Sequence, residues 1–185
     1  MERYVIRGGQ QGYERLQILA RARWPETAAL FGRAGLSRGM NAVDLIKEDH
    51  KRLKKLLEET LKAEGGEQRE AAMDHLRTEL VAHERMEEEV FYPRLRDEQD
   101  ARDAVLEGYE EHHVADVILD ELLDVPPETD LWKAKVKVLK ENVEHHMDEE
   151  EDELLKDAKK VLDRDELDRL GEQMARVKAA AEDSD

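Results

Sequence analysis

Residues 83–93 read HERMEEEVFYP, and they decide the fold because they place polar side chains on an otherwise apolar helical face. Successive residues of an α-helix are rotated by about 100°, so residues four apart share a face. His83 and Glu87 have this spacing, and they fall in line with Leu76 and Leu80 earlier in the chain. The stretch therefore predicts a helix that turns a histidine and a glutamate inward.

The same pattern recurs at residues 146–152, which read HMDEEED. Here His146 and Glu150 lie four residues apart on an apolar stripe. Two further helical patterns each carry one histidine in or beside such a stripe, namely His50 and His112. Four predicted helices thus supply four inward histidines, and two of them add a glutamate one turn later.

Composition indicates an all-α protein. The 185 residues include 42% charged and 39% hydrophobic residues, and segments rich in Ala, Leu, Glu, Lys and Arg favour helices. The formal net charge of −17 disfavours binding to nucleic acid or to anionic membranes. The absence of cysteine excludes disulfides, thiolate ligands and iron–sulfur clusters. Because the sequence shows no signal peptide and no long apolar run, we expect a cytoplasmic protein.

Helical periodicity and Gly/Pro punctuation divide the chain into three parts. Residues 1–40 form a helical N-terminal appendage, residues 41–161 an up-down-up-down four-helix bundle, and residues 162–185 a C-terminal helix and tail. In the last part Asp163 is the expected N-cap. The four bundle helices are predicted at about 41–63, 67–92, 100–124 and 128–161.

The inward polar residues require a counter-charge. Burying two unpaired carboxylates is very costly, and buried imidazoles also need partners. A pair of metal ions removes this cost, because imidazole suits iron, zinc, copper and nickel while carboxylates bridge hard cations. With few carboxylates in the set, a coordination position stays open for a small molecule.

Neighbouring residues leave the exact ligand set open. His75 lies about 120° off the inward face of its helix, so we assign it to the surface. The alternatives are His113 in place of His112, His145 in place of His146, and Glu84 as a third carboxylate.

These motifs together resemble the hemerythrin-like (HHE) cation-binding domain over about residues 41–160. The resemblance implies a non-haem di-iron centre bridged by Glu87 and Glu150, with iron expected ahead of zinc or manganese. The implied ligands are His50, His83, Glu87, His112, His146 and Glu150. Oxygen carriers of the family have two histidines one turn apart in the third helix. Because Asp116 stands four residues after His112, one iron would have fewer histidines than in those carriers, which argues against reversible oxygen carriage.

A second resemblance covers residues 4–46, which are similar to the opening helices of S-adenosylmethionine-dependent methyltransferases. The Gly-rich loop that should follow Asp44-Leu45 is missing, and residues 46–50 (IKEDH) stand in its place. Without that loop the nucleotide has no backbone cradle, so no methyltransferase activity is expected.

The sequence is consistent with three different functions. The first is a di-iron binding protein, with no catalytic residue, that takes up dioxygen or nitric oxide or senses iron or oxygen. The second is a di-iron oxidoreductase, catalase-like, that consumes peroxide or oxygen at the same ions. The third is a metal-free helical bundle whose acidic surface binds a basic partner.

Overall fold

The chain folds into helices connected by short loops. The computed structural model describes residues 39–182, and this part contains no β-strand. The predicted N-terminal appendage and the methyltransferase-like segment lie almost wholly outside the described residues. The helices are α1 (Ala42–Lys62), α2 (Gly66–Met86), a π-helical turn (Glu87–Phe91), α3 (Tyr92–Leu95), α4 (Arg102–Leu123), α5 (Asp130–Asp152), α6 (Leu154–Val161) and α7 (Arg164–Glu182). The predicted all-α class is confirmed.

Side-chain caps explain where several helices begin. The Asn41 side chain accepts a hydrogen bond from the Asp44 backbone N–H (3.1 Å) at the start of α1. Thr129 caps α5 in the same way. At the start of α7, the Glu166 N–H donates to Asp163 Oδ1 (2.8 Å), which makes Asp163 the cap that its sequence position predicts. Such caps satisfy backbone N–H groups that have no partner within the helix.

The predicted second helix is interrupted at Glu87. The Tyr92 backbone N–H donates to the carbonyl of Glu87, five residues earlier, so one turn takes an extra residue. That extra residue brings the Tyr92 side chain back over Glu87. π-turns of this kind occur frequently at functional sites.

The predicted fourth helix also differs from the structure. In the structure this helix starts at Asp130 and is interrupted at Glu153, whose backbone φ of −118° and ψ of −72° depart from helical geometry. The break separates α5 from the amphipathic α6, which turns Leu154, Leu155 and Ala158 into the core.

The bundle interior consists of two apolar clusters with a polar layer between them. One cluster packs α1 residues such as Ile46 against Phe91 and Leu154, and it includes apolar residues of α7. The other packs Leu53 of α1 against apolar residues of α2, α4 and α5. His50 lies between Ile46 and Leu53 along α1, so the polar layer is enclosed from both sides.

Helix α7 covers one side of the bundle, against α1 and α2. Gly171 permits a close approach, because a Cβ there would collide with the carbonyl oxygen of Met40. None of the helices between residues 39 and 182 combines the length and the apolar content needed to cross a bilayer.

Candidate metal centre

The structure brings all six predicted side chains into the polar layer between the two apolar clusters. Each helix of the bundle contributes from its inward face, and every one of these residues is at most 5% exposed. They are His50, His83, Glu87, His112, His146 and Glu150. The convergence predicted from helical spacing is therefore present.

The histidines that were left as alternatives lie outside this layer. His113 is exposed, and the side chain of His145 is 62% exposed. His75 is 63% exposed, in agreement with its assignment to the surface. His112 is therefore the buried member of the pair His112–His113, and His146 is the buried member of the pair His145–His146.

The first half of the layer joins α1, α2 and α5. His83 Nε2 lies 3.2 Å from Glu87 Oε1, and His50 Nε2 lies 3.2 Å from Glu150 Oε2. The rings of His50 and His83 meet edge to face with centroids 5.1 Å apart. His50, His83 and Glu87 each offer a ligand atom within 4.8 Å of the other two, close enough for one ion.

The second half joins α4 and α5 to the same glutamate. His112 Nε2 lies 3.4 Å from Glu87 Oε2 and 3.0 Å from His146 Nε2. Glu87, His112 and His146 form a second group with ligand atoms within 4.8 Å of one another. Glu87 thus turns one oxygen toward each group, which is the arrangement of a carboxylate that bridges two ions.

Several buried side-chain nitrogen and oxygen atoms in this layer have no hydrogen-bond partner among the described residues. The short contacts of His50 and His83 with the glutamates are misaligned for hydrogen bonds. Buried polar groups without partners are rare and costly, and cations remove that cost. The atoms are His50 Nε2, both ring nitrogens of His83, Glu84 Oε1, Glu87 Oε1 and both carboxylate oxygens of Glu150. This donor set of imidazoles and carboxylates fits a pair of transition-metal ions.

The two central glutamates differ in charge when no cation is bound. Burial and the adjacent charge of Glu150 raise the pKa of Glu87 to about 8. Burial opposes ionisation of Glu150 as well, but the contact with His50 and the charge of His146 keep its pKa below the usual range. Near neutral pH the pair therefore retains one proton, which a bound cation would displace.

The histidines also differ from one another. Burial lowers the pKa of His83 to about 4, so its ring is neutral and able to bind a metal ion. Burial acts in the same direction on His112, but its contacts with Glu87 and Glu88 raise its pKa well above the usual range. His112 therefore carries a proton that must leave before Nε2 can act as a ligand.

A second set of carboxylates, missed in the ligand set predicted from sequence, contacts the outer nitrogen Nδ1 of each inward histidine. Such contacts fix the ring orientation and leave Nε2 facing the centre. The contacts are Glu151 to His50 (3.0 Å), Asp49 to His83 (3.6 Å, longer than a normal hydrogen bond), Glu88 to His112 (3.0 Å) and Glu111 to His146 (2.8 Å).

These outer carboxylates follow a regular rule. Each is adjacent in sequence to one predicted ligand and contacts the histidine of the neighbouring helix. Asp49 and Glu111 precede the ligand on their helices, whereas Glu88 and Glu151 follow it. Adjacent helices are antiparallel. The residue before a ligand on one helix and the residue after a ligand on the next helix are therefore displaced in the same rotational direction around the bundle. A carboxylate directly before or after a predicted ligand is the sequence signal from which these outer carboxylates could have been predicted.

Two further buried side chains face the layer. Tyr92 Oη lies 3.5 Å from both Glu87 Oε2 and His112 Nε2. Gly108 leaves room for this hydroxyl, because a Cβ there would lie 2.8 Å from it. Glu84, the open alternative of the sequence, is 5% exposed and lines a cavity together with His112 and His146.

Comparison with known proteins agrees with this geometry. Residues 41–158 match the hemerythrin HHE cation binding domain family. A hemerythrin HHE cation binding domain-containing protein from Mycobacterium kansasii superposes with a TM-score of 0.71 at 30% identity, covering 78% of this chain and 89% of that one.

A DNA nickase from Nostoc sp. (strain PCC 7120) is 29% identical over 115 residues, which are 62% of this chain. The chain spans only about a third (32%) of that relative's length. The family match covers well over half of the chain and contains every residue of the polar layer. The chain belongs to the hemerythrin HHE cation-binding domain family.

Proposed function

We propose that this chain is a non-haem di-iron protein that takes up dioxygen or nitric oxide, or responds to iron, at the buried polar layer. The observation that carries the proposal is the position of Glu87, whose two oxygens face separate pairs of histidines. One ion is assigned to His50 and His83, and the other to His112 and His146. Glu87 and Glu150 would bridge them.

Iron suits this donor set better than zinc or manganese does. Zinc also accepts imidazole and carboxylate ligands, but it has no redox chemistry, which the uptake of dioxygen requires. Manganese favours oxygen donors, and four of the six assigned ligands are imidazoles. When bound, an iron pair supplies the redox and ligand-binding chemistry that diatomic molecules require.

The surroundings of the second ion suit a small ligand. A cavity beside His112 and His146 is lined by apolar Leu80, Ala115 and Val143. Glu84 adds a carboxylate to the same wall, and its Oε1 has no hydrogen-bond partner among the residues that the structure describes. Small-molecule sites commonly combine an apolar wall with a few polar groups in this way.

The test is metal analysis of the purified protein with absorption spectra recorded with and without oxygen and nitric oxide. The proposal predicts about two irons per chain and a near-ultraviolet charge-transfer band that changes on exposure to either gas. His83→Ala should remove both the iron and the band, whereas His75→Ala should leave them unchanged. Protein that folds and stays free of iron under iron-replete expression would support the metal-free interaction bundle instead.

Tyr92 favours a second candidate, a di-iron oxidoreductase that consumes peroxide. Its hydroxyl is buried beside Glu87 and His112 and can donate a proton or hydrogen bond at the metal pair. Sustained peroxide turnover by the iron-loaded protein, lost in Tyr92→Phe while iron content stays constant, would favour this function. Gas binding without turnover would favour the first.

A further inference from the structure

A second cavity leads from the surface between α4 and α5 toward the polar layer. Its outer wall contains the exposed Glu107 and Glu153, together with Glu149, whose side chain is 44% exposed. Its inner wall contains His146 and Glu150, which are 5% and 4% exposed. The cavity therefore lies between glutamates that are exposed to solvent and two of the proposed metal ligands.

The lining of this cavity is strongly acidic. Glutamates make up five of its ten lining residues, and none of the lining residues is Lys or Arg. A cleft lined by one sign of charge raises the local concentration of the opposite ion and accelerates its association. This cleft attracts cations.

The mouth of the cavity carries a group of possible ligand atoms. Glu111, His145 and Glu149 each offer one atom within 4.8 Å of the other two. His145 Nε2 lies 3.3 Å from Glu149 Oε1 and 3.9 Å from Glu111 Oε1. The second oxygen of Glu111 contacts His146 Nδ1 at 2.8 Å, so this residue touches both the surface group and the buried layer.

The inner end supplies an independent sign of a ligand. Glu150 is almost fully buried and lines the same cavity, yet neither of its carboxylate oxygens has a hydrogen-bond partner in the described part of the chain. A buried carboxylate whose oxygens accept no aligned hydrogen bond is a strong acceptor for a cation arriving from the cleft.

We propose that the cleft between α4 and α5 is the route by which divalent cations reach the metal centre, with Glu111, His145 and Glu149 as a transient docking site at its mouth. The inference rests on the proposed metal centre and adds to it a path and an order of events. A cation is first held by the surface group, then passes the carboxylates of the cleft, and finally binds His146 and Glu150. The docking group holds the ion weakly, because its ligands remain partly in water.

The test follows the rate of Co²⁺ uptake by metal-free full-length protein, by stopped-flow visible absorption, together with the final amount bound. The triple variant Glu107→Gln, Glu149→Gln, Glu153→Gln removes the outer charges of the cleft. The matched control is Glu64→Gln, Glu67→Gln, Glu70→Gln, which changes net charge equally at the opposite end of the bundle. Glu70 precedes His83 by 13 residues on α2, roughly 20 Å along the helix.

We expect the cleft variant to load at least about fivefold more slowly at low ionic strength and to reach the same final cobalt content. The difference should shrink at high salt, where surface charges are screened. The control triple variant should load like the wild type. Equal rates for the cleft and control variants, or a lower final cobalt content in the cleft variant, would overturn the inference.

A pair of single variants isolates the docking site. His145 and His75 are exposed to nearly the same degree, at 62% and 63% of their side chains. His145→Gln should slow uptake, and His75→Gln should not. If both substitutions change the rate of cobalt uptake equally, the assignment of the docking site is wrong. If the wild-type protein binds no cobalt at all, the metal centre itself is wrong, which distinguishes the two failures.

Discussion

The ammonium nitrogen of Lys178 lies 2.6 Å from Oδ2 of Asp49, and this ion pair ties the C-terminal helix to the metal centre. Both side chains are nearly buried. The same Asp49 oxygen faces His83 Nδ1 at 3.6 Å, so Lys178 acts on a proposed ligand through one intermediate residue. Helix α7 lies beyond the family match, which ends at residue 158. The support that α7 gives to the centre therefore comes from outside the residues of the family match.

The Lys178–Asp49 pair should contribute strongly to stability. Burial alone would raise the pKa of Asp49, but His83 and Lys178 lower it to about 2. Because this folded-state pKa is below the unfolded one, the contribution is complete at pH 7 and is lost as the pH falls from about 4 to 2. Lys178→Met leaves the buried Asp49 without its cationic partner and also removes the contact with Glu79, so we expect a loss of about 3 kcal/mol in unfolding free energy.

Urea denaturation of the metal-free protein at pH 7 measures this loss. Lys156→Met is the matched control, since Lys156 pairs with Asp152 on an exposed surface and should contribute little. The assignment fails if Lys178→Met unfolds at the same urea concentration as the control.

The outer carboxylate Glu111 should tune metal affinity without being a ligand. Its contact with His146 Nδ1 orients the ring, and loss of such contacts typically lowers metal affinity by about 10- to 100-fold. We expect Glu111→Gln to show this decrease in a competitive chelator titration. Glu110→Gln, at the adjacent exposed position, should bind metal like the wild type. Equal metal affinities for the two variants would show that Glu111 does not orient the His146 ring.

The proposed bridge at Glu87 predicts an effect on stoichiometry. Glu87→Gln replaces the carboxylate shared by both groups with a neutral amide that has a single oxygen, so the protein should hold at most about one ion per chain. Glu89→Gln, two residues along and paired with Arg85 on the surface, should keep about two. Metal analysis after gel filtration measures the difference. Two tightly held ions in Glu87→Gln would mean that Glu87 does not bridge.

Metal affinity should depend on pH because protons compete for the ligands. Without cations the pKa of Glu87 is raised to about 8, and that of His112 lies well above its usual value. Both residues must lose a proton on binding, so apparent affinity should rise with pH through about 8, where Glu87 ionises, and level off only once His112 has also lost its proton. Chelator competition between pH 6 and 9, together with proton release measured by an indicator dye, tests this. Affinity that stays constant over this range would contradict the assigned protonation states.

Helical spacing was sufficient to predict the six central residues. His83 and Glu87 are four residues apart, so any α-helix through them must align their side chains. The same periodicity favoured His112 and His146 but left His113 and His145 open as alternatives, and the structure buries the first two and exposes the other two.

Other parts of the site depend on relationships between helices. Asp49 and Glu111 lie about 100° from the adjacent ligand, where a carboxylate normally faces solvent, and their partners come from other helices. The π-turn at Glu87 has no residue signature, so the approach of Tyr92 was not predicted. The Lys178–Asp49 contact joins residues 129 positions apart and depends on how α7 docks.

Anomalous diffraction from crystals of the iron-loaded protein tests the central claim most directly. The account predicts two iron peaks about 3–4 Å apart, one beside His50 and His83 and the other beside His112 and His146, with Glu87 between them. A single peak, peaks away from these histidines, or no iron in the polar layer would contradict it.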